Sequence, residues 1–420
     1  MKKSKLLFTA GLGTLFESFD FYLFSLFAVT LNYSFFGSVN KHSVLWIFLI
    51  FAVGYFARIV GALIFGYWGD KLGRLYSFKK TVVIMAISSI MIGLLPTYES
   101  VGILAVAFLI LLRFIQGISF GGEFSGAVII IIERYKKHLP LLILALSLMT
   151  TIGVLLAKLT YSVLGYLLDY QGMLNYGWRI AYIFGGIMIF HSYFARKEIA
   201  ESEEFKLVQN HTNYKNTIHE MFLSHKKLLL IAILSIIVGE MFWGVILVYL
   251  PNFMTLKYNS PDLVNNIYYI SMSGMLIGCC LGALLADIVN IRVVYSTGTI
   301  LTLVTLIPFY VFTSDIAIKS LFSFYLLLLL LTTTTGVTAV LSLLMLSKRF
   351  PVKYRYTLLS AAYAFSAFFF IGLPPFLFSY FTRENSMYYP MLVFGIGCVV
   401  QLIAVQLFYK KTEKFVSIQQ

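Results

Sequence analysis

The sequence predicts an all-α integral membrane protein with twelve transmembrane helices arranged in two six-helix bundles. Three observations lead to this prediction. Hydrophobic residues make up 60% of the 420 residues and charged residues only 12%, about half the charged fraction of an average soluble domain. Long apolar segments recur along the whole chain, and basic residues concentrate between alternate segments.

Each predicted helix is long enough to cross the ~30 Å hydrocarbon core of a bilayer, which takes about 20 apolar residues. The first one continues past Ala28 without a small-residue cleavage pattern, so we interpret it as a retained helix and not as a signal peptide. Long continuous segments also exclude a strand barrel. The twelve predicted spans are 6–36, 43–66, 78–96, 101–132, 139–167, 178–195, 227–254, 264–288, 292–312, 318–346, 357–380 and 387–409.

The distribution of basic residues orients these spans. With both termini in the cytoplasm, 24 of the 32 Lys and Arg residues fall in cytoplasmic regions and five in the opposite loops. The net charge of +14 follows from this topology and needs no nucleic-acid partner. We predict an N-terminal bundle over 1–195, a cytoplasmic linker over 196–226 with one surface-lying helix, a C-terminal bundle over 227–409 and a cytoplasmic tail over 410–420.

Cysteine and histidine spacing indicates no metal centre. The three cysteines lie in apolar segments without metal-ligand spacing, and the histidines of the predicted linker are interpreted as solvated loop residues. These residues are Cys279, Cys280, Cys398, His211, His219 and His225.

The two halves of the chain align at an offset of 217 residues, which places Asp70 on Asp287. Around Asp70 the motif GYWGDKLGR resembles the signature of the major facilitator superfamily at the loop between helices 2 and 3. The resemblance implies two helix bundles that rock around a central site and a charged cluster that latches the outward-facing state. The predicted gating residues are Gly66, Asp70, Lys71, Gly73, Arg74, Asp287 and Arg355.

A narrower resemblance joins stretches from most of the chain. It is similar to the metabolite:proton symporter branch of that superfamily, which includes proline/betaine, 2-oxoglutarate, citrate and shikimate carriers. The branch implies a monomer in the bacterial cytoplasmic (inner) membrane. Lys158 and Glu240 depart from its pattern. The matching stretches are ESFDF (17–21), FAVGYFARIVGALIFGYWGD (51–70), LLRFIQGISFGGEFSGA (111–127), RKEIAESEEF (196–205) and FPVKYRYTLLSAAYAF (350–365).

Ionisable residues inside the predicted spans are the strongest functional signal, because charge at membrane depth is expensive. The predicted spans contain four acids and three bases, Arg58, Arg113 and Lys158. One acid is therefore in excess and is expected to carry a proton during transport. Glu17 and Asp20 share one face of the first helix. The predicted proton-coupling residues are, in order, Asp20, Glu17, Glu123 and Glu240.

The buried bases admit two interpretations. Arg113 and Gln116 either take part in coupling or binding, or brace the fourth span through backbone carbonyls. Arg113 and Glu123 are ten residues apart and therefore point about 80° apart around a helix, so we do not expect them to pair. A substrate anion is the natural partner of Arg58 and Lys158, and Trp243 beside Glu240 is the best place for an aromatic cage around a quaternary ammonium. The predicted substrate-binding residues are Arg58, Arg113, Lys158, Gln116, Trp243, Tyr249 and Tyr363.

Together these features predict proton-coupled uptake of a small carboxylate-bearing metabolite, either a di- or tricarboxylate, an amino acid or a betaine. Sodium coupling is left open. The first alternative, a proton-driven exporter of amphipathic compounds, calls for buried acids without buried bases. The second, a non-transporting membrane sensor, usually carries an appended soluble domain. Without a nucleophile–base set or a cofactor fingerprint, we expect neither enzymatic activity nor a cofactor.

Overall fold

A computed structural model of the protein describes residues 3–37, 41–196, 201–202, 205, 217–258, 260–314, 320–381 and 387–418. Over this part of the chain the secondary structure is helical, without strands. Ten helices are long and apolar enough to cross a membrane, and an eleventh span is the bent pair Leu6–Leu26 and Ala28–Phe36. The helix Trp178–Arg196 occupies the remaining predicted span. The predicted all-α, multi-pass membrane class is confirmed.

The chain forms two compact units, and the first contains Met1–Arg134, Ala145–Ile218 and Pro351–Ala364. The last of these segments begins with a 3₁₀ turn, Val352–Tyr354, and enters the helix Arg355–Ala367. The N-terminal helices are α1 Lys3–Leu26, α2 Ala28–Phe36, α3 Lys41–Lys71, α4 Arg74–Gly93, α5 Tyr98–Val101, α6 Ile103–Phe120, α7 Glu123–Arg134, α8 Leu139–Leu167, α9 Tyr170–Gly172 and α10 Trp178–Arg196.

Among the described N-terminal helices, two of the predicted spans are not single straight helices. The first bends by 61° between α1 and α2. The fourth, predicted as 101–132, breaks between α6 and α7 at Gly121 and Gly122. A Cβ on Gly121 would overlap the Arg58 carbonyl oxygen, and one on Gly122 would lie 2.7 Å from Phe65 Cβ. The glycines are thus required where α3 crosses the break.

The close approach of α3 and α6 continues along both helices. A Cβ on Gly61 would overlap the carbonyl oxygen of Ile118, and a Cβ on Gly117 would overlap that of Gly54. Small residues let two membrane helices approach to backbone contact. This packing brings the charged positions of α3 and α6 into one interior.

The second unit contains Tyr135–Leu144, His219–Phe350 and Phe365–Gln420. Among its described residues, two π-helical turns interrupt the helices. A Cβ added to Gly244 in one turn would lie 2.6 Å from the carbonyl oxygen of Phe370 in the other. Pro374 and Pro375 follow directly in the next helix. The elements are Thr217–Leu234, Ile237–Met241, the π turn Phe242–Tyr249, Leu250–Tyr258, Pro261–Ile288, Ile291–Ser314, Leu321–Ala339, Ser342–Ser347, the π turn Phe368–Gly372, Leu373–Phe381 and Tyr388–Ile418.

Part of the predicted linker lies outside the described residues. This applies to 197–200, 203–204 and 206–216, which include His211. The helix Thr217–Leu234 begins inside the predicted linker and continues into the seventh predicted span.

Candidate functional site

A polar cluster lies buried inside the first unit, where α1, α4 and α6 meet. Gln116 donates its side-chain amide to the Asp20 carboxylate and, at 2.9 Å, to Ser89 Oγ. The Gln116 side-chain oxygen accepts a hydrogen bond from Arg113 at 2.5 Å. Each of these four side chains is 0% exposed. Gln116 therefore bridges the acid of the first span and the base of the fourth.

The hydrogen bonding of this cluster is incomplete. Within the described part of the chain, Asp20 Oδ1, Arg113 Nε and the Tyr182 hydroxyl are buried without a hydrogen-bond partner. The Arg113 guanidinium carbon lies 4.3 Å from the ring centre of Phe24 and 4.8 Å from that of Phe21. Because buried polar groups are normally hydrogen-bonded, these three groups keep the capacity to form further hydrogen bonds inside the cluster.

Arg58 on α3 is a second buried guanidinium, held by aromatic rings. Its central carbon lies 4.2 Å from the ring centre of Phe21, 4.3 Å from that of Tyr55 and 4.6 Å from that of Phe120. Its charge acts on both Glu17 and Arg113. Cation–π contacts with a desolvated guanidinium contribute on the order of 2 kcal/mol, so the rings fix the position of this charge.

Glu123 pairs with Arg196 and not with Arg113. The Arg196 guanidinium donates to both oxygens of Glu123, and the Thr81 hydroxyl donates to Glu123 at 2.6 Å. Arg196 is 0% exposed, although the sequence placed it at the start of the linker. The predicted excess of one buried acid is therefore wrong, because the count of buried bases omitted Arg196.

The gating motif forms a second buried cluster. Asp70 accepts hydrogen bonds from the Thr357 backbone at 2.9 Å, the Thr357 hydroxyl at 2.6 Å and the Tyr356 backbone at 3.2 Å. Arg74 forms ion pairs with Asp70 and, at 3.1 Å, with Glu133. The hydrogen bonds from Tyr356 and Thr357 tie the segment Pro351–Ala364 to α3, and the ion pairs of Arg74 join α3, α4 and α7 within the first unit.

The glycines of the motif allow this packing, whereas its lysine lies outside the cluster. A Cβ on Gly66 would lie 2.7 Å from Thr357 Cα, and Gly73 has a φ of +128°, which L side chains rarely adopt. Lys71 is exposed and donates to the Tyr67 hydroxyl at 3.0 Å.

Next to Gly73, Glu201 accepts a hydrogen bond from the Leu75 backbone at 2.8 Å. Burial raises the pKa of this carboxyl, against the opposing effects of that hydrogen bond and of the Arg74 charge. Glu201 thereby occupies the otherwise uncapped N-terminus of α4.

Two other predicted gating residues lie in different surroundings. Arg355 contacts Glu133 at 3.5 Å and so joins the cluster of the first unit. Asp287, in the second unit, lies 2.7 Å from His138 Nδ1. Burial lowers the pKa of Lys348, with the Arg349 charge adding to the effect and Asp287 opposing it.

The remaining candidates of the first unit are Lys158 and Tyr363. The Lys158 ammonium lies 5.4 Å from the ring centre of Tyr161 and is half-buried. The Tyr363 ring lies 5.6 Å from that of Phe124, next to Glu123 in sequence.

Glu240, Trp243 and Tyr249 belong to the second unit. Trp243 meets Phe242 edge to face at 5.3 Å, and Tyr249 stacks on Phe253 at 6.0 Å. Glu240 is buried and its charge acts on Tyr295. All three lie in or beside the π turn Phe242–Tyr249.

Sequence reasoning missed several residues that complete these clusters. The hydroxyl residues carry no distinctive spacing, and Arg196 and Glu133 are at span ends where a solvated charge is the ordinary expectation. Glu201 was matched to a family motif without a structural role. The residues missed are Ser89, Tyr182, Thr81, Arg196, Glu133 and Thr357.

Comparison with known proteins gives a family and relatives. The family model described as Major Facilitator Superfamily matches residues 10–239, more than half of the chain. An inner membrane metabolite transport protein, YhjE of Escherichia coli (strain K12), is 32% identical over 49% of this chain and 48% of its own length. The shikimate transporter of the same organism is 29% identical over 71% of this chain and 70% of its own length. The chain thus aligns with about half the length of the first of these relatives.

Solved structures share the fold at low identity. The proton:xylose symporter XylE bound to 6-bromo-6-deoxy-D-glucose superposes with a TM-score of 0.80, at 18% identity, over 97% of this chain and 95% of the other. The inward open conformation of the xylose transporter XylE from E. coli superposes with a TM-score of 0.64, at 17% identity, over 96% of this chain and 95% of the other. At these identities the likeness concerns the arrangement of helices.

Proposed function

Since the chain belongs to the major facilitator superfamily, we propose that it is a proton-coupled secondary transporter that takes up a small carboxylate-bearing metabolite by alternating access. The bridge from Asp20 through Gln116 to Arg113 is the observation that carries this proposal. It places a buried acid and a buried base in contact through a neutral amide, inside a membrane-spanning unit.

Asp20 is the proposed proton carrier. While it is ionised, Gln116 links its negative charge to the positive charge of Arg113, and the pair is nearly neutral. When Asp20 takes up a proton, the Arg113 charge loses its partner in a medium where unpaired charge is costly. A substrate carboxylate then compensates Arg113, so substrate binds well only to the protonated carrier. This dependence couples the two fluxes.

Arg58 and Lys158 are proposed to add to the attraction for the substrate anion. The aromatic contacts of Arg58 keep its guanidinium at one place while its charge acts on neighbouring groups. Lys158, half-buried beside Tyr161, adds a flexible charge. A carboxylate ligand is favoured over an amphipathic cation because the described interior of the first unit carries buried guanidinium groups.

The Asp70 cluster is proposed to act as the gate. It holds the segment Pro351–Ala364 through the hydrogen bonds from Thr357 to Asp70 and through the hydrogen bond from Arg74 to the Val352 carbonyl oxygen. Opening one side of the carrier requires that these contacts break and re-form in each cycle. Their number makes the latched state stable, and their dependence on one carboxylate makes it releasable.

We further propose that the protein resides in a bacterial cytoplasmic membrane as a monomer, with both termini in the cytoplasm and without a resident cofactor. The distribution of basic residues supports this orientation. The inner-membrane description of its relative YhjE supports the location.

The test begins with ligand identification on the purified protein. A thermal-shift panel of amino acids, betaines, shikimate, and di- and tricarboxylates should yield a stabilising compound, and uptake of that compound into proteoliposomes follows with and without a protonophore. We expect accumulation that the protonophore abolishes. Accumulation that persists with the protonophore but requires a sodium gradient would contradict proton coupling.

The Asp20→Asn variant tests the assigned carrier. A fixed neutral side chain should abolish accumulation against a gradient while substrate exchange across the membrane continues. Asp262→Asn makes the same change at an exposed acid at the start of Pro261–Ile288, so it serves as the control and should transport normally. Normal accumulation by Asp20→Asn would remove Asp20 from the coupling step.

A further inference from the structure

One face of α1 connects the Asp20 cluster with the Glu123–Arg196 pair. At one end of this face, a Cβ on Gly13 would overlap the Arg196 guanidinium and the Glu123 carboxylate. At the other end, Asp20 accepts the hydrogen bond from Gln116. Positions separated by three or four residues share a helix face, so Gly13, Glu17 and Asp20 form one stripe.

Glu17 is the ionisable group between the two clusters. By the helical rise it is about 4.5 Å along the axis from Asp20 and about 6 Å from Gly13. Its side chain is 5% exposed. Within the described residues, its Oε2 atom has no hydrogen-bond partner. The mechanism proposed above uses Asp20 and does not explain this second buried acid.

The neighbours of Glu17 come from three helices. The charges that act on it are those of Arg58 on α3, Glu123 on α7 and Arg196 on α10. Glu123 and Arg196 already pair with each other, and the Arg58 guanidinium is surrounded by three aromatic rings. Among the described residues, Arg196 is thus already paired with Glu123, and Arg58 is the base whose charge acts most strongly on Glu17.

We propose that Glu17 is a second proton-binding site, which accepts the proton that Asp20 releases and passes it toward the end of the unit that holds Glu123 and Arg196. In this step the O–H bond at Asp20 breaks and an O–H bond at Glu17 forms. The negative charge moves one helical turn in the opposite direction, and no electrons are exchanged. The two acids together keep a single negative charge, so the charge balance with Arg58 and Arg113 is preserved throughout the transfer.

This relay rests on the proposed function and gives it a direction. Asp20 sits in a cluster closed by Gln116, Ser89 and Arg113, where a released proton needs an acceptor. Glu17 supplies that acceptor on one side of Asp20 along the helix. The route therefore runs along α1, away from Phe24 and toward Gly13.

Infrared difference spectroscopy of the purified protein tests the relay without any substrate. After a pH jump, the protonated-carboxyl region of the wild-type spectrum should contain two buried bands. Asp20→Asn should remove one and Glu17→Gln the other. In Glu17→Gln the remaining band should lose its proton more slowly, on the order of 100-fold, as expected when a positioned proton-transfer group is removed. Glu99→Gln, the same change at an exposed position, should leave the spectrum and rate unchanged.

If Glu17→Gln keeps both bands, or releases the Asp20 proton at the wild-type rate, the relay is overturned. Coupling by Asp20 is not affected by that result. Conversely, two assigned bands in a protein that transports none of the tested compounds would support the relay and contradict the proposed function. If Glu17→Gln does not fold, Glu17→Asp provides the second test. A shifted band supports proton binding at position 17, and an unchanged spectrum overturns it.

Discussion

Thr357 donates two hydrogen bonds to one carboxylate oxygen of Asp70, from its backbone nitrogen at 2.9 Å and from its hydroxyl at 2.6 Å. The hydroxyl bond can be removed alone. We predict that Thr357→Val destabilises the protein by about 1.5–3 kcal/mol, because the acceptor is a buried charged group. Thermal unfolding in detergent measures the loss. Thr151→Val is the control, since its buried hydroxyl donates only to Ser147 of its own helix. Equal losses in the two variants would contradict a special role for the Asp70 contact.

The Gln116 bridge should affect coupling as well as stability. Gln116→Leu leaves Asp20 and Arg113 buried without their common partner, so we expect reduced stability and a lower number of protons moved per substrate. Gln401→Leu removes another buried amide, which bonds to Thr299 and to the Val238 backbone in the second unit. It should lower stability while leaving the proton-to-substrate ratio unchanged. A normal ratio in Gln116→Leu would argue against the bridge as the coupling element.

Arg58 and Lys158 are each expected to contribute to substrate affinity. If each contacts the substrate carboxylate, Arg58→Gln or Lys158→Gln should raise the KM for uptake on the order of tenfold, the equivalent of about 1.4 kcal/mol. Lys80→Gln, at an exposed base beside Tyr76, is the control. An unchanged KM removes the tested residue from the substrate site, independently of the other.

The crossing of α3 and α6 should tolerate no added methyl group. We predict that Gly61→Ala costs about 1–3 kcal/mol, the usual range for overpacking, because the new Cβ would overlap the carbonyl oxygen of Ile118. Gly165→Ala provides a contrast within a helix, since nothing lies within 4 Å of its added Cβ. It should be neutral or stabilise by up to about 1 kcal/mol. The unfolding temperature should therefore fall in Gly61→Ala and should stay unchanged or rise in Gly165→Ala.

Glu201 should make a pH-dependent contribution to stability. Burial raises its pKa above the ordinary value of 4.5, so folding favours the protonated carboxyl. The favourable contribution is complete below about 4.5 and is lost as the pH rises through the raised pKa. Glu201→Gln imitates the neutral form, so its melting temperature relative to wild type should increase with pH over that interval. A melting-temperature difference between Glu201→Gln and wild type that does not change with pH would contradict the prediction.

The sequence was a good guide to class and span number and a poorer guide to partners. Length and apolar composition define a membrane helix whatever its neighbours, so the all-α class and the approximate positions of the spans were predictable. The break at Gly121 and Gly122 was not, because it depends on the approach of α3. Two glycines in an apolar run fit a continuous packed helix equally well.

The candidate charges were identifiable individually, since an ionisable residue in an apolar segment stands out. Their pairing depended on helices distant in sequence. Arg196 illustrates the difficulty: its position at the end of the sixth span suggested solvent, whereas packing of α10 against α1 buries it on Glu123. Ser89 and Thr357 carry ordinary side chains, and only the fold reveals that Ser89 accepts a hydrogen bond from Gln116 and that Thr357 donates one to Asp70.

The wide sequence separation of these partners constrains how the protein is made. Gln116 follows Asp20 by 96 residues, Arg196 follows Glu123 by 73, and Thr357 follows Asp70 by 287. At synthesis rates of about 5–20 residues per second, roughly 15–60 s pass between the synthesis of Asp70 and that of Thr357. During that interval the early helices hold their acids in or near the membrane without their final partners. Insertion of the first unit therefore has to proceed with its charge network unfinished, and the network closes only when the eleventh span has been synthesised.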